Sequence, residues 1–266
     1  MDHIILNNGV SIPLVGYGVY QIPKHQTKEC VTNAIKSGYR HIDTARDYGN
    51  EKEVGEAIRE CGIKRTDLFL TTKIYGAYSY QEACQYIDDA LNRLDCEYID
   101  LLLFHWPSGN LTETYRAMED YYKQGKLKAI GLSNFFDHQL DTILSNCTIT
   151  PAVNQVETHV FHQRHKFQQR LHHDNIQLEA WSPLACGKHN IFHHPMLQEI
   201  ADKHHKSISQ IALKFLVQRK IISIPKSIHI NRMMENIDIF DFELTQEEML
   251  KIKSLDRNKS LFGWYE

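Results

Sequence analysis

The chain has 266 residues, 42% hydrophobic and 24% charged, enough for one sizeable core and unlike a disordered, collagenous or coiled-coil protein. Thirty Lys and Arg against thirty-three Asp and Glu give a formal charge of -3, so no global positive field exists to hold nucleic acid or an anionic membrane. The six cysteines (Cys30, Cys61, Cys84, Cys96, Cys147, Cys186) form no C-x-x-C pair, the N-terminus lacks a basic leader, and no stretch approaches the roughly eighteen apolar residues of a membrane span. These features predict a soluble, cytoplasmic protein with reduced thiols, and the absence of a long apolar surface stripe predicts a monomer.

Two short β-rich segments, 4–6 and 11–12, flank Asn8-Gly9, a dipeptide suited to the positive φ angles of a tight hairpin turn. After this hairpin, β-rich runs at 14–19, 40–43, 68–73, 99–104, 129–132, 152–156, 176–180 and 221–224 alternate with amphipathic stretches of helical period. The helix predicted at 81–94 opens with the capping box Ser79-x-x-Glu82, and that at 246–255 with Thr245-x-x-Glu248. Gly38 and Gly125 stand where helices stop ahead of Arg40 and Lys126. About eight strands alternating with helices predict an α/β fold, a (β/α)8 TIM barrel with a short N-terminal β-hairpin. No linker or change of composition divides the chain, so 1–266 is expected to form a single domain. An open doubly wound sheet would alternate in the same way, but its G-x-G-x-x-G turn is absent: Gly16-Tyr17-Gly18 runs into Val19-Tyr20-Gln21.

In such a barrel the working residues lie at the C-terminal ends of the strands. The second run ends His41-Ile42-Asp43 and leads to Tyr48, the third ends Thr71-Thr72-Lys73, and the fourth runs into His105-Trp106-Pro107. Asp43, Tyr48, Lys73 and His105 are therefore expected to face one cavity. A tyrosine is a poor acid at neutral pH, but a cation beside it favours the phenolate and eases release of the proton. Lys73 is the candidate cation, and Asp43 the anion that keeps it charged in an apolar strand. His105 is suited to orient a substrate oxygen.

At this point the sequence resembles the aldo-keto reductases, in the small cytosolic branch near the 2,5-diketogluconate reductases. The resemblance spans nearly the whole chain. It is carried by Gly16-Tyr17-Gly18-Val19-Tyr20, Gly38-Tyr39-Arg40-His41-Ile42-Asp43-Thr44-Ala45, Tyr48-Gly49-Asn50-Glu51 and His105-Trp106-Pro107. It continues through Gly131-Leu132-Ser133-Asn134, Asn154-Gln155-Val156-Glu157, Ala180-Trp181-Ser182-Pro183-Leu184 and Ile224-Pro225-Lys226-Ser227, with Arg232 and Glu235-Asn236. It implies that Tyr48 is the general acid, that Lys73 and Asp43 tune it, and that His105 positions a carbonyl while a nicotinamide delivers hydride. It also implies a cofactor site formed by Gly18, Val19, Tyr20, Asp43, Ser133, Asn134, Gln155, Trp181, Ser182, Pro183, Leu184, Lys226, Ser227, Arg232, Glu235 and Asn236.

The chemistry of several of these residues supports that site independently. Ser133, Asn134 and Gln155 suit a nicotinamide carboxamide, and Trp181 is an aromatic face for its ring. Lys226, Ser227 and Arg232 follow the last strand, where barrels often bind phosphate, and paired cations favour NADPH over NADH. The expected activity is NADPH-dependent reduction of aldehydes, with ketones as a second class. A barrel that holds NADPH as a sensor without turnover is the alternative, but it has no need of Tyr48 and Lys73 together.

The substrate wall is expected from Val19, Tyr20, Tyr48, Tyr75, His105, Trp106 and the C-terminal Phe262-Gly263-Trp264-Tyr265, whose early stop predicts an open pocket for small carbonyl compounds. His162 and His165, three apart in a predicted helix, and the pairs His172-His173, His193-His194 and His204-His205 read as surface histidines without a metal-ligand spacing. His41 and Asp43 share a strand face as in metal-dependent barrel hydrolases. The strands ending in Ser133, Gln155 and Trp181 add no ligand, so no metal site is expected.

Overall fold

The computed structural model describes residues 2–264. A two-stranded antiparallel hairpin, β1 (His3–Ile5) and β2 (Ser11–Pro13), precedes the main sheet and pairs Ile4 with Ile12. Its turn departs from the expected one. Only Gly9 has a positive φ, +85°, while Asn8 uses its side chain, accepting from Val10 N and donating to Lys128 O. Asn7 donates likewise to the carbonyls of Pro151 and Asn175. Lys128 lies at the start of one barrel strand, and Pro151 and Asn175 lie just ahead of two others, so the hairpin covers the N-terminal end of the barrel.

Eight parallel strands follow in sequence order: β3 (Tyr17–Gly18), β4 (His41–Asp43), β5 (Phe69–Ile74), β6 (Ile99–Phe104), β7 (Leu127–Ser133), β8 (Val153–Glu157), β9 (Gln177–Trp181) and β10 (Ile222–Ser223). The ring closes where Gly16 N donates to Ser223 O and Ser223 N to Leu14 O, each at 2.9 Å. This is the (β/α)8 barrel expected from the sequence. Its first and last strands have less regular ladder than the runs 14–19 and 221–224, because single bonds, including the Val15 to Ser223 bridge, make the closure.

The helices are α1 (Lys24–Lys36), α2 (Glu51–Glu60), α3 (Tyr80–Leu94), α4 (Leu111–Lys123), α5 (Asp137–Asn146), α6 (His165–His173), α7 (Pro195–His204), α8 (Ile208–Gln218), α9 (Ile230–Ile237) and α10 (Gln246–Lys253). Their boundaries follow local chemistry. In α3, Ser79 Oγ accepts from Glu82 N, but the Glu82 carboxylate reaches Tyr78 N, so only half of the expected box forms. In α10 both halves form between Thr245 and Glu248. The stripe Ala83, Ile87, Ala90, Leu91 and Leu94 turns α3 toward the barrel. Strand β6 is apolar on both faces, with Leu101, Leu102, Leu103 and Phe104 wholly buried, as a parallel strand between helices and barrel interior requires. Each such side chain contributes roughly 1.5–3 kcal/mol by leaving water.

The histidine expectations hold only in part. His162 precedes α6, bridges to His159 and is buried at 3% exposure, because the turn between β8 and α6 folds inward. His165, His194 and His204 are half-buried, while His172, His173, His193 and His205 are exposed. Among the described residues no helix is long and apolar enough to cross a membrane, and no group of three His, Cys, Asp or Glu side chains is placed to hold a metal ion.

Candidate active site

Three adjacent strands deliver the polar residues expected to act together. Asp43 ends β4, Lys73 stands one residue before the end of β5, and His105 follows β6 directly. Tyr48 closes a single helical turn, Arg46–Tyr48, formed as the chain leaves β4. Lys73 Nζ donates to Asp43 Oδ1 at 2.6 Å and to the Thr44 carbonyl at 2.9 Å, and it lies 3.4 Å from the Tyr48 hydroxyl. Burial is the largest influence on this ammonium and works against it, but the charge and hydrogen bond of Asp43, with Tyr48 and Glu179 beside it, together hold Lys73 above the ordinary lysine value.

The effect on Tyr48 differs from the sequence expectation. Burial pushes the phenol up to about 12, and the nearby Lys73 offsets only part of that rise. The protein therefore keeps Tyr48 protonated through the neutral range, with a cation ready at the oxygen.

His105 Nδ1 lies 3.0 Å from Asp47 Oδ2, and its ring stacks on Tyr75 at 5.6 Å between centroids. Burial holds His105 below the ordinary histidine value, while the hydrogen bond to Asp47 opposes it. Tyr20 packs against Tyr48 at 4.9 Å, and Val19 N donates to the Asp43 carbonyl. Tyr20 and Tyr75, at 46% and 40% exposure, keep one side open to solvent. Asp47 was not singled out from the sequence. The available signal was a carboxylate next to Tyr48 in a strand-end loop.

The amides are more tied to the protein than the sequence suggested. Gln155 Nε2 donates to Asp43 Oδ2 at 2.9 Å. Asn134 donates to Ser133 Oγ and the His105 carbonyl, while its Oδ1 accepts from Trp181 Nε1 at 2.9 Å. Asn134 thus ties together the ends of β6, β7 and β9. Below them, buried Glu179 on β9 lies 4.0 Å from His41 Nε2. Burial pushes the Glu179 carboxyl up to about 8 and His41 down to about 4, so both are neutral near pH 7. The sequence signal for Glu179 is its place two residues before Trp181, which puts it on the same strand face.

The expected phosphate residues converge. A cavity of about 550 Å³ has Leu184, Lys226, Ser227, Arg232, Glu235 and Asn236 among its lining residues. Among the described residues neither Lys226 nor Arg232 is in an ion pair, which leaves both cations available to an anion. Glu235 accepts the Ser207 hydroxyl. Gly18 approaches the Ile224 carbonyl so closely that a Cβ would sit 3.2 Å from it. Pro183 is buried, and Ser182, with φ +51°, turns the chain out of β9.

The C-terminal tail reaches back over the site. Buried Glu157 accepts from Ser260 Oγ at 2.6 Å and Leu261 N at 2.8 Å, and Lys188 donates to the Leu261 carbonyl. Trp264 then stacks on Trp181 at 5.4 Å and lies 6.4 Å from Trp106. Residues 260–264 thus cover one face of Trp181, because their anchor on Glu157 lies immediately before the aromatic residues. Tyr265, expected in this wall, lies outside the described residues.

The aldo/keto reductase family model matches residues 14–257. The chain belongs to the aldo/keto reductase family. Glyoxal reductase of Bacillus subtilis (strain 168) is 42% identical to this reductase over 97% of the chain and 94% of its own length. The 9,11-endoperoxide prostaglandin H2 reductase of Trypanosoma cruzi (strain CL Brener) is 39% identical over 98% and 93% respectively. Among solved structures, an aldo-keto reductase from a Medee basin deep-sea metagenome library is similar at a TM-score of 0.94 and 41% identity, covering 99% of this chain and 98% of that one. The family membership makes this chain an oxidoreductase acting on carbonyl compounds.

Proposed function

We propose that this aldo-keto reductase uses NADPH to reduce aldehydes, with ketones as a second class, and that Tyr48 is the general acid. The observation that carries this assignment is the placement of Lys73 Nζ between Asp43 at 2.6 Å and the Tyr48 hydroxyl at 3.4 Å. The Tyr48 hydroxyl gives its proton to the carbonyl oxygen as negative charge develops there, and Lys73 stabilises the phenolate left behind. Asp43 keeps Lys73 charged for that purpose. His105, with Nδ1 engaged by Asp47, offers Nε2 to orient the substrate oxygen. Tyr20, Tyr75 and Trp106 form the wall around that oxygen.

A reduced nicotinamide dinucleotide supplies the hydride when bound. The residues present fit such a group: two unpaired cations line a cavity beyond β10, as a 2′-phosphate requires, and Trp181 offers an aromatic surface on β9. Asp43, Gln155, Asn134 and Ser133 hold that side of the site in a fixed polar network, with Gly18, Val19 and Tyr20 beside it. A reducing cytoplasmic compartment accords with the six free cysteines, five of them at least partly buried.

The experiment is the loss of reduced-nicotinamide absorbance with a panel of aldehydes, run with NADPH and NADH. Aldehyde-dependent oxidation that favours NADPH, with one alcohol formed per cofactor consumed, is the expected result. NADPH binding without turnover of any aldehyde would reject the assignment.

A further inference from the structure

The site described above contains one charge whose only part in the reduction is to hold His105. Asp47 lies beside the proposed acid, on the short turn that carries Tyr48, and its Oδ2 is 3.0 Å from His105 Nδ1. Its side chain is 27% exposed, and among the described residues no lysine or arginine forms an ion pair with it. The neighbouring Arg46 guanidinium is stacked on the Tyr86 ring at 3.9 Å, against α3. Beneath the pocket, Lys73 and Asp43 cancel each other at 2.6 Å. Burial keeps His105 below the ordinary histidine value, so at neutral pH it does not offset the carboxylate beside it. The remaining wall, Tyr20, Tyr75, Trp106 and Trp264, is aromatic and uncharged.

We propose that Asp47 is a specificity-determining residue that makes this reductase select neutral carbonyl compounds over carboxylate-bearing ones. A carbonyl compound held with its oxygen at His105 and Tyr48 brings a carboxylate on a compact frame into the same otherwise uncharged pocket as Asp47, within about one 0.1 M screening length, roughly 10 Å. Two like charges at that separation near a protein surface repel enough to lower binding about tenfold. The aromatic wall supplies no cation to compensate, so the selection acts on substrate charge rather than on size. This inference rests on the assignment of His105 and Tyr48 to the substrate oxygen.

The experiment compares kcat/KM for para-formylbenzamide and para-formylbenzoate, which are similar in shape and differ in charge. It uses the full-length parent and Asp47→Asn with NADPH, at low ionic strength and at about 1 M salt, where the screening length falls to about 3 Å. The parent is expected to favour the amide about tenfold at low salt, and the preference is expected to shrink toward parity in Asp47→Asn and in the parent at high salt. Should Asp47→Asn lose activity on both aldehydes through the loss of its bond to His105, the salt dependence of the parent's preference still decides. Equal use of both aldehydes by the parent, or a preference that survives both the substitution and the salt, overturns the charge filter and leaves the reductase assignment standing. Turnover of neither aldehyde while other neutral aldehydes are reduced overturns the filter alone, and failure of every aldehyde overturns the reductase assignment and the filter with it.

Discussion

Lys73 Nζ lies 2.6 Å from Asp43 Oδ1, and both side chains are buried inside the barrel. Such a pair is retained for more than stability, because its attraction does little more than offset the cost of taking two charges from water. Removing one partner leaves the other charge uncompensated. Lys73→Met and Asp43→Asn are each expected to cost about 3–5 kcal/mol in denaturant unfolding, with part of the loss recovered in the double variant. Single losses below about 1 kcal/mol would show that the pair is not held as described.

The phenol of Tyr48, pushed up to about 12 by burial, should remain protonated well above neutrality. Ultraviolet titration of parent and Tyr48→Phe should therefore give equal phenolate signals up to about pH 10 and diverge only above it. An extra phenolate in the parent near neutral pH would mean that Lys73, and not burial, governs this group.

Glu179 gives a pH dependence of stability with a definite sign. Its folded value of about 8 stands above the ordinary 4.5, so between those values the folded protein holds a proton that the unfolded chain has released. Stability contributed by this site falls as pH rises through that window. Glu179→Gln removes the ionisation, so relative to the parent the variant should gain more than about 1 kcal/mol between about pH 5 and about pH 9. A difference that is flat with pH in thermal or denaturant unfolding would contradict the burial of Glu179.

The cavity beyond β10 leads to a cofactor prediction. Lys226→Ala and Arg232→Ala should each weaken NADPH binding about 10- to 100-fold and leave NADH binding nearly unchanged, because each removes a charge-assisted contact to the extra phosphate. Fluorescence titration with both dinucleotides checks this. Equal weakening of the two would move these cations away from the 2′-phosphate.

Much of this architecture was legible because its signals are local. Strand and helix periods alternate cleanly, and Thr245 and Glu248 form the predicted box because both partners lie within one turn. Asp43, Tyr48, Lys73 and His105 converge because each lies at or just beyond a strand end, which the barrel brings to one rim. What the sequence hid depends on distance across the barrel. Gln155 points its amide at Asp43 from four strands away, and Glu157 anchors Ser260 across 103 positions. The balance at Tyr48 was misjudged for a related reason: a cation nearby can be read from sequence, whereas the extent of burial is fixed only by packing.

The most direct measurement of the central claim is single-turnover reduction of a reactive aldehyde by the parent and by Tyr48→Phe, each preloaded with NADPH and shown by fluorescence to bind it equally. The parent should oxidise the bound cofactor on adding aldehyde, and the variant should lose at least about 100-fold in that rate, the scale of general acid catalysis, while keeping its NADPH affinity. A folded, NADPH-loaded Tyr48→Phe protein that turns over at the parental rate would contradict the assignment of Tyr48 as the acid.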